Sequence, residues 1–120
     1  MIIKSINAND TYSVRHPVLR PERPIEECYF ELDNHLSSLH LGMEFNGEII
    51  AVLSALPIKC ENFPDLISMR LRGIAKLHAF QKKGLGSRLM IEVEKRLLKL
   101  KKIKLIWLNA RISAKKFYKT

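Results

Sequence analysis

The stretch of this sequence best suited to bind a charged ligand is a glycine-containing basic turn that leads from an apolar segment into a helix. The turn consists of Gln81, Lys82, Lys83, Gly84, Leu85 and Gly86. At the start of a helix, unpaired backbone N–H groups and the positive end of the helix dipole point at one spot. Two lysines add full positive charges there. A turn of this kind binds phosphate.

Two well-known phosphate-binding patterns are excluded by the spacing of this turn. The nucleoside-triphosphate pattern G-x-x-x-x-G-K-[ST] is absent from the sequence. The dinucleotide pattern G-x-G-x-x-G needs a small residue three positions after Gly86, and Leu89 stands there. The plain alternative is a solvated turn that merely starts a helix.

The remaining pattern, Q-x-x-G-x-G between a strand and a helix, resembles motif A of the GNAT superfamily of N-acetyltransferases. The resemblance implies that the turn holds the pyrophosphate of acetyl-coenzyme A. It also implies that Ile74, Ala75 and Lys76 of the preceding strand pair through their backbone groups with the pantetheine arm. The implied activity is transfer of an acetyl group to a primary amine by direct attack, with an acceptor that the sequence does not identify.

A second stretch, residues 109–118, resembles the last core strand of this family running into its short motif B helix, with Ala114 four residues before Tyr118. The resemblance implies that Tyr118 is the general acid that returns a proton to the coenzyme A thiolate. A phenol has a pKa of about 10, so it is protonated at neutral pH and can donate to the leaving sulfur. Arg111 stands where many members carry an asparagine, and its cation is expected to reach the cofactor.

The sequence assigns no general base and predicts no metal site. His40, Glu44 and His78 are the candidates for a base, although a histidine is more often structural. Cys28 and Cys60 have no metal-binding spacing, and in a reducing compartment they are free thiols.

The elements that must position these groups follow from hydrophobic periodicity. Residues 39–45 and 48–56 flank Asn46-Gly47, the strongest short signal for a β-hairpin. Gly73 interrupts a third strand and predicts a bulge or a close approach of another segment.

Beyond the basic turn, the pattern predicts a strand–helix–strand unit. The helix begins near Gly84, carries one apolar stripe and ends near Lys101. Residues 104–109 form the next strand, parallel to the third. The predicted fold is therefore α/β (α+β), a mixed sheet flanked by helices. Its element order is that of the GNAT-like acyl-coenzyme A N-acyltransferase fold, short at the C-terminus.

The N-terminal third is less regular in pattern. The first six residues are predicted to form a strand. A short helix capped by Asn9 or Asp10 is expected to run towards Arg20, kinked or broken at Pro17. The segment 25–34 fits either a helix-like piece or a strand.

Composition sets the remaining expectations. A chain of 120 residues is predicted to form a single domain, 1–120. The sequence contains no apolar run long enough to span a bilayer and no signal peptide, so a cytoplasmic location is expected. A net charge of +9 keeps open an alternative function, a basic nucleic-acid-binding module or a catalytically impaired coenzyme A-binding module. The lysines from Lys95 to Lys104 have no interleaved aromatic residues, which disfavours nucleic acid.

The last strand carries a prediction about assembly. Family members usually continue through further strands beyond the tyrosine, whereas this sequence stops at Thr120. The strand at 104–109 is therefore expected to have an open edge. An open apolar edge pairs readily with another chain, so a homodimer through this edge, or aggregation, is predicted. The alternative is that residues 110–120 fold back and cover the edge.

Overall fold

The computed structural model describes residues 1–81, 83–108 and, for the backbone only, 114–116. The elements are β1 (Ile2–Ile6), α1 (Ala8–Leu19), β2 (Leu39–Phe45), β3 (Glu48–Leu56), β4 (Ser68–Lys76), α2 (Leu85–Leu98), β5 (Leu105–Leu108) and β6 (Ala114–Lys116). Short 3-10 helices lie at Ile25–Cys28 and His78–Phe80. The first of them, followed by turns, settles the open choice for residues 25–34 in favour of the helix-like piece.

The strands form one mixed sheet in the order β1-β2-β3-β4-β5-β6. The neighbours from β1 to β4 are antiparallel, β4 and β5 are parallel, and β5 and β6 are antiparallel. The predicted mixed sheet with a parallel β4–α2–β5 unit is confirmed. In the part of the chain that the structure describes, no helix is long and apolar enough to cross a membrane.

The predicted hairpin forms where the sequence indicated it. Asn46 and Gly47 connect β2 to β3 with φ values of 53° and 80°. Positive φ at both central residues is the geometry of the type I′ turn, whose twist matches that of the strands it joins.

The two helices cover opposite faces of the sheet. Alternate residues of β3 contact opposite sides: Leu53 lies in the core under α2, whereas Val52 packs against Val14 of α1. The predicted stripe of α2 is buried in that core. Its members are Leu85, Leu89, Val93 and Leu97.

Helix α1 differs from the prediction in its start and its continuity. Asn7 is the N-cap, and its N–H donates to Asp10 Oδ2 at 3.3 Å. The helix continues through Pro17 to Leu19. Near the end of a helix a proline removes only one hydrogen bond, and the buried face of α1 offsets that loss. Arg15 of this helix is 0% exposed although it carries a charge.

Two predictions for the C-terminal segment are wrong. Residues 114–116, predicted to begin a short helix, form β6 and pair with β5 from Leu105 to Trp107. The edge of β5 is therefore covered by the chain itself. The predicted homodimer was argued from an open edge of β5, and that argument no longer applies. Dimerisation itself is not tested by the structure and stays a prediction.

Gly73 forms the bulge that its position indicated. Between the pairs Val52–Ala75 and Ser54–Arg72, β3 has one residue and β4 has two. Gly73 is one of these two and has a φ of 64°. A Cβ there would lie 2.8 Å from a ring carbon of Phe30 and 3.1 Å from Arg15 Nε, so both predicted reasons for a glycine apply.

We expect Gly73→Ala to lower the free energy of unfolding by about 2–4 kcal/mol, because left-handed backbone strain adds to overpacking against Phe30. Gly47→Ala is the matched control, since Gly47 also has positive φ but no atom lies within 4 Å of its added Cβ. That variant should lose about 1–2 kcal/mol, the strain alone. Urea unfolding measures both values, and equal losses would show that Phe30 does not constrain the bulge.

Candidate functional site

The basic turn opens onto the first turn of α2. Gly84 is the N-cap residue and has a φ of 70° in the left-handed region. The Arg88 N–H donates to the Gly84 carbonyl oxygen at 3.2 Å, as the first bond inside the helix. The N–H groups of the residues between them have no carbonyl partner within the helix. They are the donors that an anion at this end of α2 would use.

Neither glycine of the turn is crowded. A Cβ on Gly84 would meet no atom within 4 Å, and one on Gly86 would meet only Lys76 Nζ at 4.0 Å. The space over the first turn of α2 is therefore wide enough for a phosphate to approach the backbone. The Lys76 ammonium lies beside this space and adds a full positive charge to the helix dipole.

The side chains of the turn divide into structural and exposed groups. Gln81 donates from Nε2 to the Lys76 carbonyl oxygen at 2.6 Å, which ties the turn to the end of β4. The Leu85 side chain is buried in the core, so only its backbone is available to a ligand. Lys83 is exposed, and Lys82 lies outside the described residues.

Strand β4 runs past the end of its neighbour β5. Their last pair is Leu71–Leu108, and β4 continues for a further five residues to Lys76. Among the described residues, no strand pairs with that segment on the β5 side. The side chains of Ile74 and Ala75 pack into the two cores, so their backbone groups are what this edge offers. A polar, extended ligand can pair with such an edge.

The three candidates for a general base lie apart from one another. His40 is 5% exposed, with Nδ1 2.6 Å from Ser54 Oγ and Nε2 2.8 Å from the Asp33 carbonyl oxygen. These contacts give it a structural role. Glu44 on β2 forms an ion pair with Lys4 on the neighbouring edge strand β1, and Lys4 Nζ donates to Glu44 Oε1 at 2.6 Å. His78 is exposed in the 3-10 helix before the turn.

Tyr118 and Arg111 lie outside the described residues, so their predicted roles stay predictions. Among the described residues, no group of His, Cys, Asp or Glu side chains could hold a metal ion. A cavity of about 530 Å³ lies at the opposite end of the sheet, between Ser68 at the start of β4 and Leu97 near the end of α2. It is therefore separate from the basic turn.

A buried ion pair that the sequence did not predict joins α1 to the segment before β2. Arg15 donates to Asp33 through two bonds of 2.8 and 2.9 Å, to Ser54 Oγ at 2.8 Å and to the Cys28 carbonyl oxygen at 3.0 Å. The Tyr12 hydroxyl donates a further hydrogen bond to Asp33 Oδ2 at 3.1 Å.

Burial alone would raise the pKa of Asp33, but the hydrogen bonds from Arg15 and the Phe30 N–H outweigh it and hold that pKa below its ordinary value. Burial, together with the Asp33 charge, raises the pKa of Tyr12 to about 12. The network therefore holds an ionised carboxylate beside a protonated phenol. Residues 18 positions apart contribute the ion pair, so no local pattern in the sequence signals it.

We expect Asp33→Ala to lower the free energy of unfolding by about 3–5 kcal/mol, because the Arg15 cation stays buried without its partner. Glu27→Ala is the matched control: Glu27 pairs with Arg23 at 2.9 Å on the surface, where a pair contributes less than about 1 kcal/mol. Urea unfolding at neutral pH measures both. A small loss in Asp33→Ala would show that the pair contributes little.

The pH dependence gives a second check on Asp33. Because its pKa is lowered in the folded state, its contribution is present above its unfolded pKa of about 3.9 and is lost as the pH falls through the folded value. The stability difference between wild type and Asp33→Ala should therefore shrink below a pH of about 3.9.

Strand β4 also carries two arginines that are not among the site residues predicted from the sequence. Arg70 and Arg72 alternate with the buried Met69 and Leu71. Because successive residues of a strand point to opposite faces of the sheet, the two arginines share one face, the α1 face. Apolar–polar alternation within a strand was therefore the signal that could have found them.

Three comparisons with known proteins bear on the family and the fold of this chain. The model of the acetyltransferase (GNAT) family matches residues 6–120. An uncharacterized N-acetyltransferase, YitI of Bacillus subtilis (strain 168), is 34% identical over 116 residues, which cover 97% of this chain and 77% of that protein.

Solved structures show the same fold at lower identity. An aminoglycoside 6'-N-acetyltransferase complexed with coenzyme A has a TM-score of 0.70 at 17% identity, over 90% of this chain and 61% of that one. A ribosomal-protein-alanine N-acetyltransferase from Brucella melitensis biovar Abortus 2308 has a TM-score of 0.66 at 19% identity, over 93% and 83%. This chain thus spans less than two thirds of the aminoglycoside enzyme.

Proposed function

Because the chain belongs to the GNAT acetyltransferase family, we propose that it transfers an acetyl group from acetyl-coenzyme A to a primary amine. The observation that carries this proposal is the open first turn of α2. There, Gly84 and Gly86 leave the backbone N–H groups accessible beside the Lys76 ammonium. A pyrophosphate fits this combination of space, dipole and charge.

The cosubstrate would extend from this turn along the unpaired edge of β4. Arg72 to Lys76 span four residue steps, about 13 Å at 3.3 Å per residue. The backbone of Ile74, Ala75 and Lys76 would pair with the pantetheine arm. The thioester would then lie near the Gly73 bulge, just beyond the last described pair of β4 and β5, where backbone N–H groups can polarise its carbonyl.

The proposed reaction is direct attack of the amine on the thioester. The amine nitrogen forms a bond to the carbonyl carbon, the carbon–sulfur bond breaks, and the thiolate takes a proton. We assign that proton to the Tyr118 hydroxyl, and Arg111 to the cofactor. The attacking nitrogen loses its own proton to water, because no described residue is placed as a base. Holding thioester and amine together supplies the main acceleration.

The acceptor substrates of the related enzymes are not assigned to this chain. The aminoglycoside and ribosomal-protein acceptors belong to proteins that are less than 20% identical to this chain. Likeness at this level supports the fold and leaves the acceptor pocket to be argued from this chain's own residues.

The experiment that tests the proposal has two parts. Calorimetry with coenzyme A tests the turn, and incubation with labelled acetyl-coenzyme A and a library of amines tests transfer. A shallow dependence of coenzyme A affinity on salt supports a compact pyrophosphate site. Failure to bind coenzyme A would overturn the proposal. Binding to nucleic acid that weakens steeply with salt would favour the alternative basic module.

A further inference from the structure

Two arginines, Arg70 and Arg72, lie two positions apart on the α1 face of β4, and no described carboxylate forms an ion pair with either. The Arg72 guanidinium carbon is 4.0 Å from the ring centroid of Phe30, and that of Arg70 is 5.3 Å from the centroid of Trp107. Both side chains are half-buried, and Arg70 Nε is buried with no hydrogen-bond partner. Aromatic faces hold these cations, but they supply no hydrogen-bond acceptor in the plane of the guanidinium.

Among the described residues, no acid side chain completes this pair. Asp33, the acid that acts on Arg72, already accepts both terminal nitrogens of Arg15. No ion pair between described residues includes Arg70 or Arg72. The stretches outside the described residues (82, 109–113 and 117–120) contain no aspartate or glutamate. The described residues therefore leave a local excess of positive charge around Arg70 and Arg72.

This excess is unfavourable in the absence of an anion. Burial, and then the charges of Arg70 and Arg15, lower the pKa of Arg72. Partly desolvated cations held together in this way are stabilised by a carboxylate or phosphate that accepts both fork nitrogens. The pair thus has the positive charge of an oxyanion site and, at Arg70 Nε, a donor without a partner.

The location connects this pair to the proposed reaction. Leu71, between the two arginines, is the last residue of β4 paired with β5, and the Gly73 bulge follows Arg72 directly. The proposed thioester lies at that point of the strand, and α2 with its pyrophosphate turn covers the other face. A molecule held by Arg70 and Arg72 on the α1 face would therefore lie beside the reacting carbonyl.

We propose that Arg70 and Arg72 bind the acceptor, and that this acceptor is an amine carrying a carboxylate. The inference rests on the proposed acetyltransferase function and names its substrate class. The arginines act as specificity-determining residues, since they hold the anionic end of the acceptor while its amine reaches the thioester. Polycationic amines are disfavoured by the same charges.

The carboxylate has two sources, a small amino acid or an acidic peptide, and paired acceptors distinguish them. β-Alanine is compared with β-alaninamide, and alanyl-aspartyl-alaninamide with its asparagine counterpart. Spermidine serves as the cationic acceptor. In the wild-type chain we expect kcat/KM at least about tenfold higher for the carboxylate member of one pair than for its amide, the size expected for a charge-assisted bidentate contact.

The variants are Arg72→Gln, Arg70→Gln and the charge-conserving Arg72→Lys. Both glutamine variants should reduce the preference to within about threefold, and lysine should retain part of it, because a point charge replaces the planar fork. Lys95→Gln, which removes one exposed charge from α2, is the matched control and should keep the full preference. A purely structural role for the arginines would change stability but leave the preference unaltered.

A binding readout keeps the inference testable without turnover. N-acetyl-β-alanine and its amide are titrated into the protein saturated with coenzyme A, and the acid should bind at least about tenfold more tightly in the wild type only. Equal binding, or a preference that survives in Arg70→Gln/Arg72→Gln, would overturn the inference while coenzyme A binding leaves the proposed function standing. Loss of coenzyme A binding in the wild type would overturn the proposed function and the acceptor role with it.

Discussion

Coenzyme A should fail to bind when Gly86 is replaced by valine, although the domain stays folded. A Cβ at this position meets only Lys76 Nζ at 4.0 Å, an ordinary contact, and valine has a higher helix propensity than glycine. The substitution therefore costs the fold little. It fills the space through which a phosphate must approach the N–H groups of the first turn of α2.

Two measurements check this result. Calorimetry should detect no binding to Gly86→Val. Coenzyme A at about a hundred times its dissociation constant should stabilise the wild type by about 2.7 kcal/mol and leave the variant unchanged. Lys95→Val is the matched control, because it places the same branched side chain at an exposed position of the same helix. Normal coenzyme A affinity in Gly86→Val would remove the basis for a pyrophosphate site at this turn.

Replacement of Tyr118 by phenylalanine should lower kcat by about 10²–10⁴-fold, the range typical of a general acid, with unchanged affinity for coenzyme A. The phenol supplies the proton that the thiolate takes as it leaves, and phenylalanine keeps the ring without that proton. Single-turnover acetylation measures the loss, and calorimetry with coenzyme A shows whether binding is retained.

Tyr29→Phe is the control for Tyr118→Phe. Tyr29 is exposed, and its ring packs 4.4 Å from that of Tyr12 between centroids, remote in sequence from the proposed acid. Its hydroxyl can be removed without an effect on transfer. If Tyr118→Phe kept full turnover, Tyr118 would be a packing residue and another group would protonate the thiolate.

The sequence by itself determined the features that depend on neighbours within a few residues. The type I′ turn at Asn46-Gly47 follows from two residues that tolerate positive φ. The stripe that α2 buries follows from helical periodicity. The open turn at Gly84 and Gly86 follows from glycine spacing ahead of a helix. In each case the relevant hydrogen bonds or packing face are local, so composition and spacing suffice.

The tertiary structure decided the features that depend on distant partners. Pro17 is accommodated in α1 because the buried face of that helix offsets one lost hydrogen bond. Arg15 is buried because Asp33 meets it, and Arg72 lacks an acid because the same Asp33 is occupied. Residues 114–116 became a strand because the edge of β5 offered backbone partners. Ion pairs and strand pairs between distant segments produce no periodic pattern in a sequence. Each partner, taken alone, could stand equally well in many other structural settings.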